Sequence, residues 1–261
     1  MKEETSDNIF DLIIDNLKAG PFGPAFFVCM KYNWLFYLLF CYHFLSAQQH
    51  DILFYEVDLN HQSLSFFLED DYGDKFNSFK RLNTFLEQKG KCLKFAMNGG
   101  MYLKDRSPQG LYIENSIQIK KLDTLSKAYG NFYMQPNGVF YIDEQNQPGV
   151  CETPSYIGVK AKYATQSGPM LVINGAIHHK FKLGSKNLNI RNGVGVLPNG
   201  NLIFAMSKAE INLYDFALFF KNKGCKNALY LDGFVSRTYL PSKGYTDLNQ
   251  GNFGVIIAVY E

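Results

Sequence analysis

From residue 51 onward the apolar positions fall into short runs bounded by turn residues, interrupted by two stretches in which their spacing changes from two to three and four. "DILFYEVDL" (51–59) and "SLSFFLE" (63–69) read as strands that pair across a turn at Asn60-His61. Phe76, Phe79, Leu82 and Leu86 then recur at helical spacing, which predicts a helix over 74–89 with Asp74 as its cap and Gly90 as its stop. "CLKFAM" (92–97) is a buried strand running into Asn98-Gly99-Gly100. Short strands follow at 110–114 and 117–121, bent at Asn115-Ser116, and at 131–135 and 138–142, flanking Pro136-Asn137.

The second half continues in the same style. "GPMLVINGAIHHKF" predicts a hairpin turned by Asn174-Gly175, and "NGVGVLPNGNLIFAMS" predicts another turned by Pro198-Asn199-Gly200. Leu213, Phe216, Ala217 and Phe220 share one face of a helix from about 212 to 222, with Gly224 past its end. "NALYLDGFVSR" (227–237) is a core strand stopped by Asp232-Gly233, and "FGVIIAVYE" has the unbroken apolar content of a strand in the middle of a sheet. Many hairpins and two principal packing helices predict an α+β fold with a largely antiparallel β-sheet core. Helices do not alternate with strands, which argues against a doubly wound parallel fold.

Residues 30–47 break the pattern. "MKYNWLFYLLFCYHFLSAQQ" has one Lys, an apolar stretch from Trp34 to Leu45, and small residues at Ser46 and Ala47. Those are the regions of a secretory signal peptide cleaved after Ala47. The stretch is shorter than the ~20 residues of an ordinary membrane span. The expectation is export to the periplasm or the exterior, with no stable span after cleavage; the alternative is an uncleaved signal anchor in the inner membrane. Residues 1–29 are then expected to be a non-native or dispensable extension, with the start at either Met1 or Met30, and 48–261 to form a single domain.

Composition narrows the function classes. The chain is 46% hydrophobic and 16% aromatic, enough for a sizeable core, and its formal charge of +2 is too small to suggest a nucleic-acid partner. Cys92, Cys151 and Cys225 follow the signal region without a Cys-x-x-Cys pair, so neither a disulfide framework nor a zinc site is indicated. No metal or other cofactor is expected. His178-His179, just past a hairpin turn, read as exposed turn residues, with metal ligation as the lesser alternative.

Four corners share one design, a buried strand meeting a glycine and a polar side chain: Asn98-Gly99-Gly100, Ser167-Gly168-Pro169, Arg191-Asn192-Gly193, and Asp232-Gly233 with Ser236-Arg237. Taken singly, each is an ordinary turn, and an isolated Asp-Gly caps itself. Together they predict a composite pocket. Asp232 can act as base, acid or nucleophile, and Arg191 offers a planar fork of donors suited to phosphate or carboxylate. Asn98 and the amides of Gly99 and Gly100 can hold an oxyanion or a sugar hydroxyl. Ser167, Gly168, Asn192 and Ser236 complete the expected substrate-binding set.

"FAMNGGMY", "SPQGLYIEN", "ATQSGPMLVINGAIH", "IRNGVGVLPNGNLIFAMS", "INLYDFALFF", "CKNALYLDGFVSRTYLP" and "VIIAVYE", in this order, resemble the phosphodiester glycosidase domain family, in its small exported bacterial branch. The likeness spans about residues 51–261. It implies cleavage of the bond between a sugar's anomeric carbon and a phosphodiester oxygen, in an envelope or extracellular glycan. It carries the pocket to Asn98, Gly99, Gly100, Arg191, Asp232 and Gly233. In that scheme Arg191 holds the phosphodiester, Asp232 acts at the anomeric carbon or activates water, and Asn98 with Ser236 orients the sugar. The competing expectation is a non-catalytic binder of envelope polysaccharide or phosphoglycan.

Overall fold

The computed structural model describes residues 51–232 and 235–261. The signal-peptide reading of 30–47 and the role given to Gly233 lie outside the described residues. Among the described residues no helix is long and apolar enough to cross a membrane.

Among the described residues fifteen strands form three sheets in which every pairing is antiparallel. The first sheet orders β1 (Ile52–Val57), β12 (Leu202–Ser207), β11 (Asn192–Val196), β13 (Ala228–Asp232), β9 (Met170–Ile173) and β10 (Ala176–Ile177). The second orders β14 (Thr238–Tyr239), β3 (Leu93–Asn98), β15 (Ile256–Tyr260) and β2 (Ser63–Phe67). The third orders β5 (Ile117–Lys120), β4 (Tyr112–Glu114), β8 (Ala161–Ser167), β6 (Gly138–Asp143) and β7 (Pro148–Glu152).

The unbroken apolar strands are those with both faces covered. Along β15, Ile257 and Val259 enter the central core, while Ile256 and Ala258 lie under helix α1 (Phe79–Gln88). Along β13, Leu229 and Leu231 enter the same central core, while Ala228 and Tyr230 lie under helix α2 (Leu213–Asn222). Successive side chains on a strand point to opposite faces, so each of these strands feeds two clusters at once. Phe66, Phe95, Tyr112, Phe140 and Phe204 fill the space where the sheets meet. Each such side chain contributes roughly 1.5–3 kcal/mol by leaving water.

Helix α2 follows the sequence expectation closely: Leu213, Phe216, Ala217 and Phe220 are its buried face and the Asn212 side chain caps Asp215 N at 2.9 Å. Gly193 and Gly195 of β11 explain how closely it seats. A β-carbon on Gly195 would stand 2.8 Å from Cys225 Sγ and 3.0 Å from Phe220 Cδ1.

Three expectations need correction. Helix α1 begins at Phe79 with Ser78 as its cap, not near Asp74. Residues before it are drawn into pairing elsewhere: Phe76 N donates to Leu68 O at 3.0 Å, and Ser78 bridges to Gly251. Asp74 instead accepts from Arg81 Nη2 at 3.1 Å. Strands β1 and β2 do not form a hairpin; β1 pairs with β12 and β2 with β15, each along its full length. Residues 131–133 are a short 3-10 turn, because Asn137 Nδ2 folds back to donate to Phe132 O at 2.9 Å, and β6 pairs with β7 instead.

Candidate functional site

Asp232 is the last residue of β13, 5% exposed. The β13–β11 register shifts by one residue there, from Gly193 opposite Tyr230 to Asn192 opposite Asp232. Such a bulge re-aims the side chain that follows it. The extra residue, Leu231, keeps its carbonyl satisfied because Ser167 Oγ donates to it at 2.7 Å.

Two asparagines then fix the carboxylate. Asn98, at the end of β3, donates from Nδ2 to Asp232 Oδ2 at 2.8 Å and to the Val235 carbonyl. Asn192 accepts from Asp232 N at 2.9 Å through Oδ1 and donates from Nδ2 to Asn98 O at 2.9 Å and Asn98 Oδ1 at 3.1 Å. Arg237 N donates to Asn98 Oδ1 at 2.8 Å. The first and second sheets are therefore stitched together at the acid by buried amides whose geometry leaves little freedom.

Asp232 opens on a cleft of about 570 Å³ lined by Met101, Tyr102, Lys104, Arg106, Asn189 and Asn252, among others. Within the lining, Asp232 is the one carboxylate among the described residues. Burial raises the Tyr102 phenol above its ordinary pKa, and the Asp232 charge raises it further, while Arg106 opposes the shift. Its hydroxyl donates to Asn252 O at 3.0 Å. A second groove of similar size runs along α1, past Asp70, Arg81 and Lys89, and holds none of the expected site residues.

The structure brings Asn98, Asn192, Asp232 and Ser236 together and sorts the other expected residues differently. Arg191 was expected to clamp the substrate; it is 0% exposed and turned inward. Its Nε donates to Ile211 O at 2.7 Å, Nη1 to Tyr230 Oη at 2.7 Å, and Nη2 to Asn187 O at 2.8 Å. A guanidinium so occupied braces the strand beneath the cleft and has no free fork for a phosphate. Burial pushes the Tyr230 phenol up to about 12, with the neighbouring Arg191 pulling the other way, so Tyr230 stays a neutral acceptor for that cation.

The other corrections share this cause, since polar groups sealed in the interior must satisfy one another. Ser167 is engaged with Leu231, and a β-carbon on Gly168 would meet Asn137 Cβ at 2.7 Å, so both are packing residues. Gly99 N donates to Val255 O at 2.9 Å and is not available to an oxyanion. A β-carbon there would fall 2.4 Å from Ile257 Cδ1. Gly100, at φ 97°, packs where a β-carbon would meet Thr165 Oγ1 at 2.3 Å. Asn192 is sealed inside the amide network, and Ser236 donates to Asp232 O at 3.0 Å; both support the acid from behind.

His178, read as an exposed turn residue, is 1% exposed. It stacks between His179 and Phe181, and Lys180 N donates to its Nδ1 at 3.1 Å. Burial, with the nearby His179 and Lys180, lowers it to about 4. Among the described residues no three His, Cys, Asp or Glu side chains cluster as a metal set would require.

Tyr102, Lys104, Arg106, Asn189 and Asn252 are among the cleft residues that sequence reasoning missed. A signal for the first three was present: "MYLKDRS" places an aromatic and two cations directly after the Asn98-Gly99-Gly100 corner.

A profile of the phosphodiester glycosidase family matches residues 91–255. The uncharacterized protein YigE of Escherichia coli (strain K12) is 35% identical over 188 residues, covering 71% of this chain and 73% of that protein. The catalytic domain of zebrafish N-acetylglucosamine-1-phosphodiester alpha-N-acetylglucosaminidase, auto-inhibited by its pro-peptide, shares the fold with a TM-score of 0.54 at 15% identity, covering 82% of this chain and 83% of that one. A Burkholderia pseudomallei K96243 protein described as exported aligns with a TM-score of 0.51 at 9% identity over 80% of this chain and 73% of its own. With the family profile spanning most of the folded region and an E. coli relative matched over most of its length, the chain belongs to the phosphodiester glycosidase family.

Proposed function

We propose that this protein is an exported hydrolase that cleaves a sugar-1-phosphodiester at the bond between the anomeric carbon and the phosphodiester oxygen. The observation that carries the reading is Asp232, the one carboxylate of the cleft among the described residues, held by Asn98 at a bulged strand end. Export is supported by the signal-like segment at 30–47 and by the fold's occurrence in a protein described as exported.

Most glycosidases pair two carboxylates, one protonating the leaving oxygen and one acting at the anomeric centre. A phosphomonoester leaves with its electron pair stabilised by the phosphorus, and so needs far less help from an acid. One carboxylate is then sufficient. Asp232 either attacks the anomeric carbon, giving a glycosyl-enzyme that water hydrolyses, or removes a proton from the attacking water. In both routes the C1–O bond breaks, the phosphomonoester departs, and one water molecule is consumed. Asn98 keeps the carboxylate aimed, as preorganised sites require.

The test is release of free sugar from a panel of sugar-1-phosphodiesters, UDP-N-acetylglucosamine among them, by the protein and by Asp232→Asn. Turnover lost in the variant supports the assignment. Equal turnover in both would sink it, and saturable binding without turnover in either would mark a glycan-binding protein. The anomer released first, read by NMR, separates the two routes: retention for attack by Asp232, inversion for activated water.

A further inference from the structure

We infer that the cleft beside Asp232 contains a built anion subsite whose cation is Arg106, and that it receives the phosphate half of the substrate. The inference rests on the hydrolase reading above for the identity of the ligand, and on geometry for the site itself.

The loop after β3 is stiff. Leu103 N donates to Ser107 O at 2.8 Å, Arg106 N to Leu103 O at 2.9 Å, and Gln109 N to Met101 O at 2.9 Å. Asp105 Oδ1 accepts from both the amide and the hydroxyl of Ser107, at 3.0 and 2.7 Å. Arg106 occupies the left-handed region at φ 67°, as does Asn252 facing it at φ 70°. An arginine there is costly, and strain of this kind concentrates where a side chain must be aimed. Gly254 lets the two segments meet, because a β-carbon on it would stand 2.9 Å from both Arg106 O and Tyr102 Cβ.

Asn252 Oδ1 accepts from Arg106 Nε at 2.9 Å and also from Nη2. Asn252 is itself held, since its N donates to Asn77 O at 2.6 Å. The Tyr102 ring lies 5.1 Å from the guanidinium carbon. An amide oxygen orients a guanidinium without cancelling its charge. Arg106 forms no ion pair among the described residues, whereas Arg81 on α1 is neutralised by Asp70 and Asp74. Both Nη1 protons and one Nη2 proton of Arg106 therefore remain for a ligand, in the planar arrangement that matches phosphate oxygens. Lys104 adds a second positive charge to the same lining, and Gln109, Asn131 and Asn189 add neutral amides.

The polarity of the cleft follows. Its cations sit on the 102–106 loop and its acid at the end of β13, and the Tyr102 phenol feels both charges. A sugar phosphate fits with its anionic end toward Arg106 and Lys104 and its anomeric carbon toward Asp232.

The subsite is tested by binding, independently of turnover. The full chain, labelled with ¹⁵N, is titrated with N-acetylglucosamine 1-phosphate and separately with N-acetylglucosamine as probes, following the Arg106 Nε–H signal. The phosphorylated probe is expected to shift that signal and to bind more tightly than the free sugar. The advantage should fall about 10- to 100-fold in Arg106→Gln, as for loss of a hydrogen bond to a charged group, and by less in Asn252→Ala, which frees the side chain but keeps the charge. A wild-type protein that prefers neither probe overturns the inference, as does an Arg106→Gln variant, verified as folded by its melting curve, that keeps the phosphate preference. Arg106-dependent binding without hydrolysis of any diester would leave the subsite standing and remove the hydrolase reading. Full kcat/KM on a diester in Arg106→Gln would do the reverse.

Discussion

Arg191 runs into the interior beside β11 and commits its guanidinium to Ile211, Tyr230 and Asn187, whereas Arg106 stands at the cleft with one amide oxygen against it. Sequence context favoured the first as the phosphate ligand, because it adjoins a glycine-bearing strand. Burial decides otherwise. A cation taken out of water must recover its hydration from protein acceptors, and once it has done so its donors are no longer available. A cation left at a cleft wall keeps both its charge and part of its donor set. Stability and recognition have thus been divided between two arginines.

The sharpest way to break this division is at Asp232, the acid that shares the cleft with Arg106. Asp232→Asn is expected to lower turnover by about 10²- to 10⁴-fold, the range for loss of an acid–base group, with little change in melting temperature. Retained turnover would show that the cleft does no chemistry through Asp232.

Next comes Arg191. Arg191→Gln takes the guanidinium from the Tyr230 hydroxyl and Asn187 O, and leaves Ile211 O with Asn189 N alone, so urea unfolding should show a loss of about 2 kcal/mol or more, at about 1–3 kcal/mol per orphaned group. Arg191→Lys should fare little better, because a point charge cannot replace three directed donors. A variant at 191 that is fully stable but cannot bind phosphate would restore its role as the clamp.

The histidine pair repeats the contrast on a smaller scale. His178 has a folded pKa lowered to about 4. Its ordinary value is about 6.5, so between those two values the unfolded chain binds the extra proton. The stability its neutral state contributes is therefore complete above about pH 6.5 and is lost as pH falls toward 4, by up to about 3 kcal/mol. Unfolding measured across that window should show the loss, and His178→Phe should flatten it.

The smallest effect is the control for the first comparison. Arg106→Gln should change unfolding free energy by no more than about 1.5 kcal/mol, the range for loss of the hydrogen bonding to Asn252 and less than at Arg191. A large loss would mean that Arg106 is a strut as well, and the division between the two arginines would disappear.

Periodicity was informative wherever local spacing and burial coincide. The inward face of α2, the hairpins at Asn174-Gly175 and Pro198-Asn199-Gly200, and the central place of β15 are legible because each depends on residues a few positions apart. The start of α1 was not, since pairing of Phe76 with Leu68 and of Ser78 with Gly251 outweighs local helical preference. The separation of β1 from β2 was hidden for the same reason, their partners lying more than a hundred residues away.

By itself, the sequence determined that this chain builds an antiparallel, helix-backed core of family character and that Asn98 and Asp232 stand at strand ends. Only the tertiary structure decided which polar corners face a cleft and which face each other. The physical reason is that a buried donor must be paired and an exposed one need not be, and pairing depends on distances across sheets that no local pattern records. Arg191, Ser167 and Asn192 were drawn inward by that requirement, and Arg106, at a less conspicuous turn, was left at the cleft.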